Sequence, residues 1–255
     1  MSSQQRSAVV TGASSGIGRA ITRALREEGF AVTMVGRDPA KLAAAAEADE
    51  GDAGEGLAPA TVMAGSVADE GFLDEIVEFH SGTHGALDLL VNSAGIAGNR
   101  AVGDITADFL DAQLAVNTRA VVLLTAKCLP LLKSAVALRN SAQVVNIASN
   151  AGKRGEATLS SYSATKAAVI GFTEALHDEL ATSGIKATAV CPGLVDTPMA
   201  DAYRGAIAAS TMISPADVAE VVRMTTRLST VCIVPEIVLL RPTEWLQPEE
   251  VRSLG

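Results

Sequence analysis

Along the chain, short apolar runs alternate with longer stretches in which apolar residues recur every three or four positions, which predicts strands alternating with helices. Residues 8–11 form the first apolar run and end in a glycine-rich turn. Residues 17–28 have helical spacing, with Ile21 and Leu25 on one face, Arg23 and Arg26 elsewhere, and Gly29 placed to stop the helix. Residues 31–35 read as the next strand, and 39–48 as an alanine-rich helix with Pro39 in its first turn. The acidic, glycine-rich stretch 49–60 reads as a surface loop, since alternation resumes at once beyond it. Strands follow at 61–64, 87–91 (ending at Asn92), 143–148, 185–191 and 231–240. Helices are predicted at 69–80, 106–115, 117–134, 160–182 and 215–227.

Repeated strand–helix units with continuously apolar strands imply an α/β fold, a parallel sheet covered on both faces. Right-handed crossovers make it doubly wound. No internal repeat, heptad run or composition shift divides the chain, so residues 1–255 are read as one domain.

The composition narrows this picture. The chain is 48% hydrophobic and only 3% aromatic, so Ala, Val, Leu and Ile must fill the core. A net charge of −9 repels phosphate backbones and argues against nucleic-acid binding. Cys128, Cys191 and Cys232 fit neither a disulfide framework nor a zinc site and read as small buried hydrophobes suited to a reducing cytosol. His80, His84 and His177 match no metal spacing, and no metal is expected. The first seven residues are polar, without an apolar signal core, and no uncharged apolar run reaches ~18 residues. A soluble, cytoplasmic protein without a membrane partner is expected.

The turn after the first strand reads Thr11-Gly12-Ala13-Ser14-Ser15-Gly16-Ile17-Gly18. Gly12 permits a tight turn, Gly16 close approach of a pyrophosphate, and Gly18 close packing of helix on sheet. The helix N-terminus beyond offers free N–H groups and a partial positive charge. By itself such a turn is also compatible with a structural role.

The spacing Gly12-xxx-Gly16-x-Gly18 resembles that of the short-chain dehydrogenase/reductase family. The resemblance extends, in order, through Asn92-Ser93-Ala94-Gly95, Asn117, Ser149, Tyr162-Ser163-Ala164-Thr165-Lys166 and Pro192-Gly193, covering residues 8 to about 200. It implies a Rossmann-like sheet of about seven strands in the order 3-2-1-4-5-6-7. It also implies an oxidoreductase moving a hydride between a nicotinamide cofactor and a carbonyl or alcohol carbon.

The residue chemistry agrees. Tyr162 and Lys166 lie four apart on a predicted helix, hence on one face. An ammonium at ~4 Å contributes about 4 kcal/mol at an effective dielectric of ~20. That is enough to lower a phenol pKa from near 10 by up to roughly three units, poising Tyr162 as general acid/base. Ser149, at a strand end, can bond the substrate oxygen. It lacks a Gly-x-Ser-x-Gly elbow, against a hydrolase. By resemblance, Asn117 holds a water at a local helix distortion and links the lysine to solvent; an ordinary cap is the alternative.

For the cofactor, the position of the usual ribose-binding acid holds Gly36, followed by Arg37, whose guanidinium suits a 2′-phosphate. NADP(H) is therefore favoured, with NAD(H) also compatible. Asp38 either folds back to the ribose or pairs with Arg37. The expected cofactor contacts are Gly12, Ser14, Ser15, Gly16, Ile17, Gly18, Arg37, Ser66 and Val67 (at the adenine), Asn92, Ala94, Gly95, Tyr162 and Lys166. Pro192, Gly193, Val195 and Thr197 join them around the nicotinamide.

Residues 196–212, with Pro198, Met199, Tyr203 and Ile207, look like the family's mobile substrate lid and suggest a small, moderately hydrophobic substrate. Val121, Val122, Leu124, Leu131 and Leu132 exceed what one sheet contact needs. With the family's helix pairing they imply a homodimer or homotetramer. The C-terminus, from Ile237 to Trp245 and then an acidic tail, departs from the family's glycine-rich ending and leaves dimer versus tetramer open. A non-catalytic cofactor sensor and an epimerase are the competing readings; the Ser149, Tyr162 and Lys166 set favours the reductase.

Overall fold

The computed structural model describes residues 5–53 and 56–245. Seven parallel strands form one sheet in the order β3-β2-β1-β4-β5-β6-β7. They are β1 (Ser7–Thr11), β2 (Ala31–Gly36), β3 (Ala60–Ala64), β4 (Leu89–Asn92), β5 (Ala142–Ile147), β6 (Ile185–Pro192) and β7 (Glu236–Leu239). The central strands β1, β4 and β5 are buried at every residue, which is why their sequences are not alternating.

Successive side chains point to opposite faces. Val10, Met34, Val91 and Val145 pack beneath α1 (Gly16–Glu27), α2 (Pro39–Ala53) and α7 (Pro215–Arg227). Val9, Val35, Leu90 and Val144 pack beneath α3 (Glu70–His84) and the helix α5 (Ala120–Arg139). Two further helices, α4 (Ala107–Leu114) and α6 (Ser160–Leu180), complete the set. Local chemistry sets the boundaries. Asp69 caps α3, Gly85 ends it at φ 68°, and Ser214 with Asp217 forms a capping box on α7.

Four details depart from the sequence reading. Helix α2 continues through part of the stretch expected to be loop, as far as Ala53. Asp49 is buried there and accepts from Arg19 at 3.1 Å. Helix α5 outlasts its expected end at Ser134 and stops at Asn140, with φ 60°. Strand β7 is shorter than 231–240: Val231 is 94% exposed, and pairing with β6 begins only after Pro235, which has no N–H to give. Cys128 and Cys191 are buried as expected, but Cys232 is exposed.

Between α4 and α5 the backbone makes a π turn, Ala115–Arg119, so Ala107–Arg139 runs as one helix. Among the described residues this is the helix long and apolar enough to cross a bilayer, and part of its surface packs on the sheet.

Candidate active site

The C-terminal ends of β1, β4, β5 and β6 converge, and each carries part of the site. At β1, Gly12 and Gly16 have φ of 69° and 52°, a conformation glycine adopts without strain. A Cβ on Gly18 would lie 2.3 Å from the Gly12 carbonyl oxygen, and one on Gly16 would lie 2.9 Å from Thr197 Cγ2. The turn is therefore a bare-backbone cradle closed from above by the loop after β6. Ser15 starts α1 without a side-chain cap, so the first N–H groups of the helix are left to outside acceptors. Ser14 Oγ lies 3.5 Å from where a Cβ on Gly36 would be, and Ile17 packs on the core. These features fit the diphosphate of a dinucleotide.

At β2, Arg37 is exposed, and among the described residues Asp38 makes no ion pair with it. Its Oδ1 accepts from Lys41 N at 3.1 Å, so it caps the start of α2. Ser66 Oγ likewise accepts from Ala68 N at 3.3 Å, beside buried Val67.

At β4, Thr11 Oγ1 accepts from both Ser93 N and Ala94 N at 3.0 Å and fixes that turn. The Asn92 side chain turns into the interior, where its Nδ2 donates to Thr125 Oγ1 at 3.2 Å and to Asn146 Oδ1 at 2.8 Å. Asn146 in turn donates to Thr173 Oγ1 at 2.9 Å. Any part Asn92 has at a ligand is left to its backbone. This ladder of buried amides and hydroxyls was missed in the sequence; Gln143 and Asn146 inside an otherwise apolar strand were the signal.

Ser149 follows β5, and Tyr162 and Lys166 lie in the first turns of α6. The Ser149 hydroxyl lies close enough to the Tyr162 phenol to favour its ionised form. Ser149 Oγ also donates to Asn150 Oδ1 at 3.2 Å and accepts from Ala151 N at 3.1 Å. Lys166 Nζ donates to the Ile147 carbonyl at 2.8 Å and lies 5.8 Å from the centre of the Tyr162 ring. Burial lowers the Lys166 ammonium from its ordinary value to about 8. Burial also raises the Tyr162 phenol to about 12, with the Ser149 hydroxyl pulling the other way. The ammonium is turned to the Ile147 carbonyl, and desolvation of both groups opposes the acidification expected from a lysine at ~4 Å.

Asn117 falls in the π turn, the helix distortion anticipated for it, and is fully buried. Its Oδ1 accepts from Ile96 N at 2.8 Å, and its Nδ2 donates to Ile96 O at 2.9 Å and Thr165 Oγ1 at 3.1 Å. A Cβ on Gly95 would lie 3.5 Å from Asn117 Oδ1 and 3.6 Å from Lys166 Nζ, ordinary contact distances, so the Gly95 backbone runs beside both side chains.

The chain matches the family model described as short chain dehydrogenase over residues 6–207. It belongs to the short-chain dehydrogenase family. A Streptomyces virginiae protein named for ketoacyl reduction in the monensin polyketide synthase is 37% identical over 208 residues, 82% of this chain and 77% of that one. The fold of an actinorhodin polyketide ketoreductase variant, crystallised with NADPH, superposes with a TM-score of 0.83 at 29% identity, covering 94% of this chain and 97% of that one. A 3-ketoacyl-(acyl-carrier-protein) reductase from Brucella melitensis, in complex with NADH, gives 0.80 at 30% identity, with the same coverages.

Within this short-chain dehydrogenase, the loop after β6 follows Pro192, begins at Gly193 and passes Val195, which bridges to Ile213, before reaching Thr197. Residues 198–203 and 209–211 then form two short 3-10 turns. Tyr203 donates from its hydroxyl to Asn99 Oδ1 at 3.0 Å, and Asn99 Nδ2 donates to Thr158 Oγ1 at 3.0 Å, so three loops meet at Asn99. Residues 98–109 beside them border an open groove of about 860 Å³. Neither Asn99 nor Asn150 was identified from sequence, because both act through loops that no periodicity describes.

Proposed function

We propose that residues 1–255 work as one catalytic domain. On this reading the chain transfers a hydride reversibly between NADP(H) and the carbonyl or alcohol carbon of a small, moderately hydrophobic substrate. The observation that carries the reading is the meeting of Ser149, Tyr162 and Lys166 at the strand ends that also carry the glycine cradle. Bound nicotinamide supplies the hydride. Ser149 orients the substrate oxygen, and Tyr162 gives or takes its proton. A phenol held near 12 is protonated at neutral pH, the form needed to donate during reduction. Lys166 orients cofactor and phenol. The Asn117 side chain is engaged by Ile96 and Thr165, so its share in proton supply falls to its backbone in the widened turn.

NADP(H) is favoured over NAD(H) because Arg37 is exposed and, among the described residues, has no ion-pair partner, while Asp38 is held at the α2 cap. Polyketide and ketoacyl reductases among the relatives support a ketone substrate. We also propose a cytoplasmic homodimer or homotetramer. Val121, Leu124, Leu131 and Leu132 lie in the core, and Val122 of the same set is half-buried. The support moves to the exposed Ala164, Ala167, Ala168 and Gly171 of α6, and a Cβ on Gly171 would meet nothing within 4 Å.

The test is titration with NADPH and NADH, followed by loss of nicotinamide absorbance with ketones, aldehydes and diketones. NADPH-dependent turnover is expected. Tight cofactor binding with no turnover on any carbonyl would overturn the proposal.

A further inference from the structure

The segment after β7 folds back across the site. Glu244, whose side chain is only 7% exposed, accepts with Oε1 from Leu194 N at 3.1 Å and from Asn150 Nδ2 at 3.4 Å. Its Oε2 pairs with Arg241. The two Oε1 donors belong to different halves of the site. Leu194 lies between Gly193 and Val195 in the loop after β6, while Asn150 follows Ser149 and accepts its hydroxyl. A Cβ on Gly193 would lie 2.7 Å from Glu244 Cδ, so the missing side chain at 193 is what admits the carboxylate. The loop is further pinned by Gly193 N to Leu239 O at 2.8 Å and Ile213 N to Leu194 O at 3.0 Å, and among the described residues Glu244 is the side chain that hydrogen-bonds both this loop and the Ser149 turn. Glu156 Oε1 shares the same Asn150 nitrogen at 3.4 Å, and burial together with the Glu244 charge raises its carboxyl.

We propose that Glu244 is a positioning residue: through Leu194 it fixes the loop that faces the nicotinamide, and through Asn150 it orients the Ser149 hydroxyl. Arg241 holds the carboxylate in place. One carboxylate oxygen thus sets the spacing between cofactor and substrate oxygen. The kinetic part of this inference rests on the oxidoreductase reading; the structural part does not.

Hydrogen exchange of full-length protein without cofactor tests the structural part. Glu244→Ala should speed exchange at the Leu194 amide about tenfold, the effect of removing one charge-assisted hydrogen bond, and leave Leu90 and Val145 in the core unchanged. Glu244→Gln keeps an oxygen acceptor and should restore protection. With NADPH, Glu244→Ala should raise the Kd and lower kcat about tenfold each, with Gln recovering most of both. Asn150→Ala removes only the Ser149 branch, so kcat should fall while Leu194 exchange and the NADPH Kd stay at their wild-type values. Leu194 exchange within twofold of wild type in Glu244→Ala, or a rise shared equally by Leu90 and Val145, overturns the proposal. Loss of Leu194 protection in a protein that reduces no carbonyl supports the clasp and removes the oxidoreductase reading instead.

Discussion

The two ends of the sheet bury titratable groups in opposite ways. At the amino end, His80 is fully buried between Ser7 Oγ and Thr33 Oγ1, each 3.0 Å from a ring nitrogen, and Ser7 Oγ also donates to Ala86 O at 2.7 Å. Asp88 accepts from Ser7 N and from Arg139 Nη2, each at 2.8 Å. Every one of these polar atoms has its partner inside the chain, so the network locks β1, β2, α3 and α5 together. At the carboxyl end, among the described residues, Lys166 keeps one carbonyl acceptor, and no hydrogen bond engages the Tyr162 hydroxyl, whose ionised form the nearby Ser149 favours. Satisfied burial makes a lock; burial that leaves donors and acceptors open toward a mouth makes a site.

The sharpest break of this comparison is Tyr162→Phe. Turnover should fall about 10²- to 10⁴-fold, the range for losing a general acid/base, with NADPH affinity nearly unchanged in a fluorescence titration. Retained turnover would mean the carboxyl end is a lock too.

The amino end should answer to pH through stability rather than rate. Desolvation, helped by the nearby His84, lowers His80 from 6.5 to about 4. The unfolded chain therefore binds the proton more readily. Stability is complete above about pH 6.5 and is lost as pH falls from there toward 4, by up to about 3 kcal/mol. Urea midpoints at pH 7.5 and 5 should differ strongly in the wild type and much less in His80→Gln. Activity of that variant at pH 7.5 should match the wild type.

Gly18→Ala sharpens the contrast from the cradle side. Its Cβ would meet the Gly12 carbonyl, so the turn must shift; a stability loss of about 1–3 kcal/mol with weaker NADPH binding is expected from thermal melts and titration. The smallest effect belongs to Arg37→Ala, which should raise the KM for NADPH about tenfold and leave that for NADH alone. Equal effects on both cofactors would show that Arg37 does not face the 2′-phosphate.

The helices, the strands and most of the cradle were legible because they obey local rules: apolar runs for β1, β4 and β5, and Ser214-Pro215 for the start of α7. What escaped depends on contacts far apart in sequence. Asp49 belongs to a helix and pairs with Arg19, 30 residues away. Glu244 reaches Leu194 across 50 residues. The Tyr162–Lys166 spacing correctly placed both side chains on one helix end, but whether an ammonium acidifies a phenol depends on what else it can bond, and Ile147 O is closer.

The widened turn at Ala115–Arg119 means that the helix from Ala107 to Arg139 carries one surplus residue relative to a regular spiral. Each residue advances an α-helix by about 100°, so everything before the bulge is rotated against everything after it. Deleting a single residue there would let the spiral close into an unbroken rod. Every side chain on one arm would then swing to a different compass point, and the Asn117 amide would be carried away from the Ile96 peptide it grips. One amino acid of excess length therefore allows one continuous helix to serve two orientations, the sheet on one arm and the reaction chamber on the other.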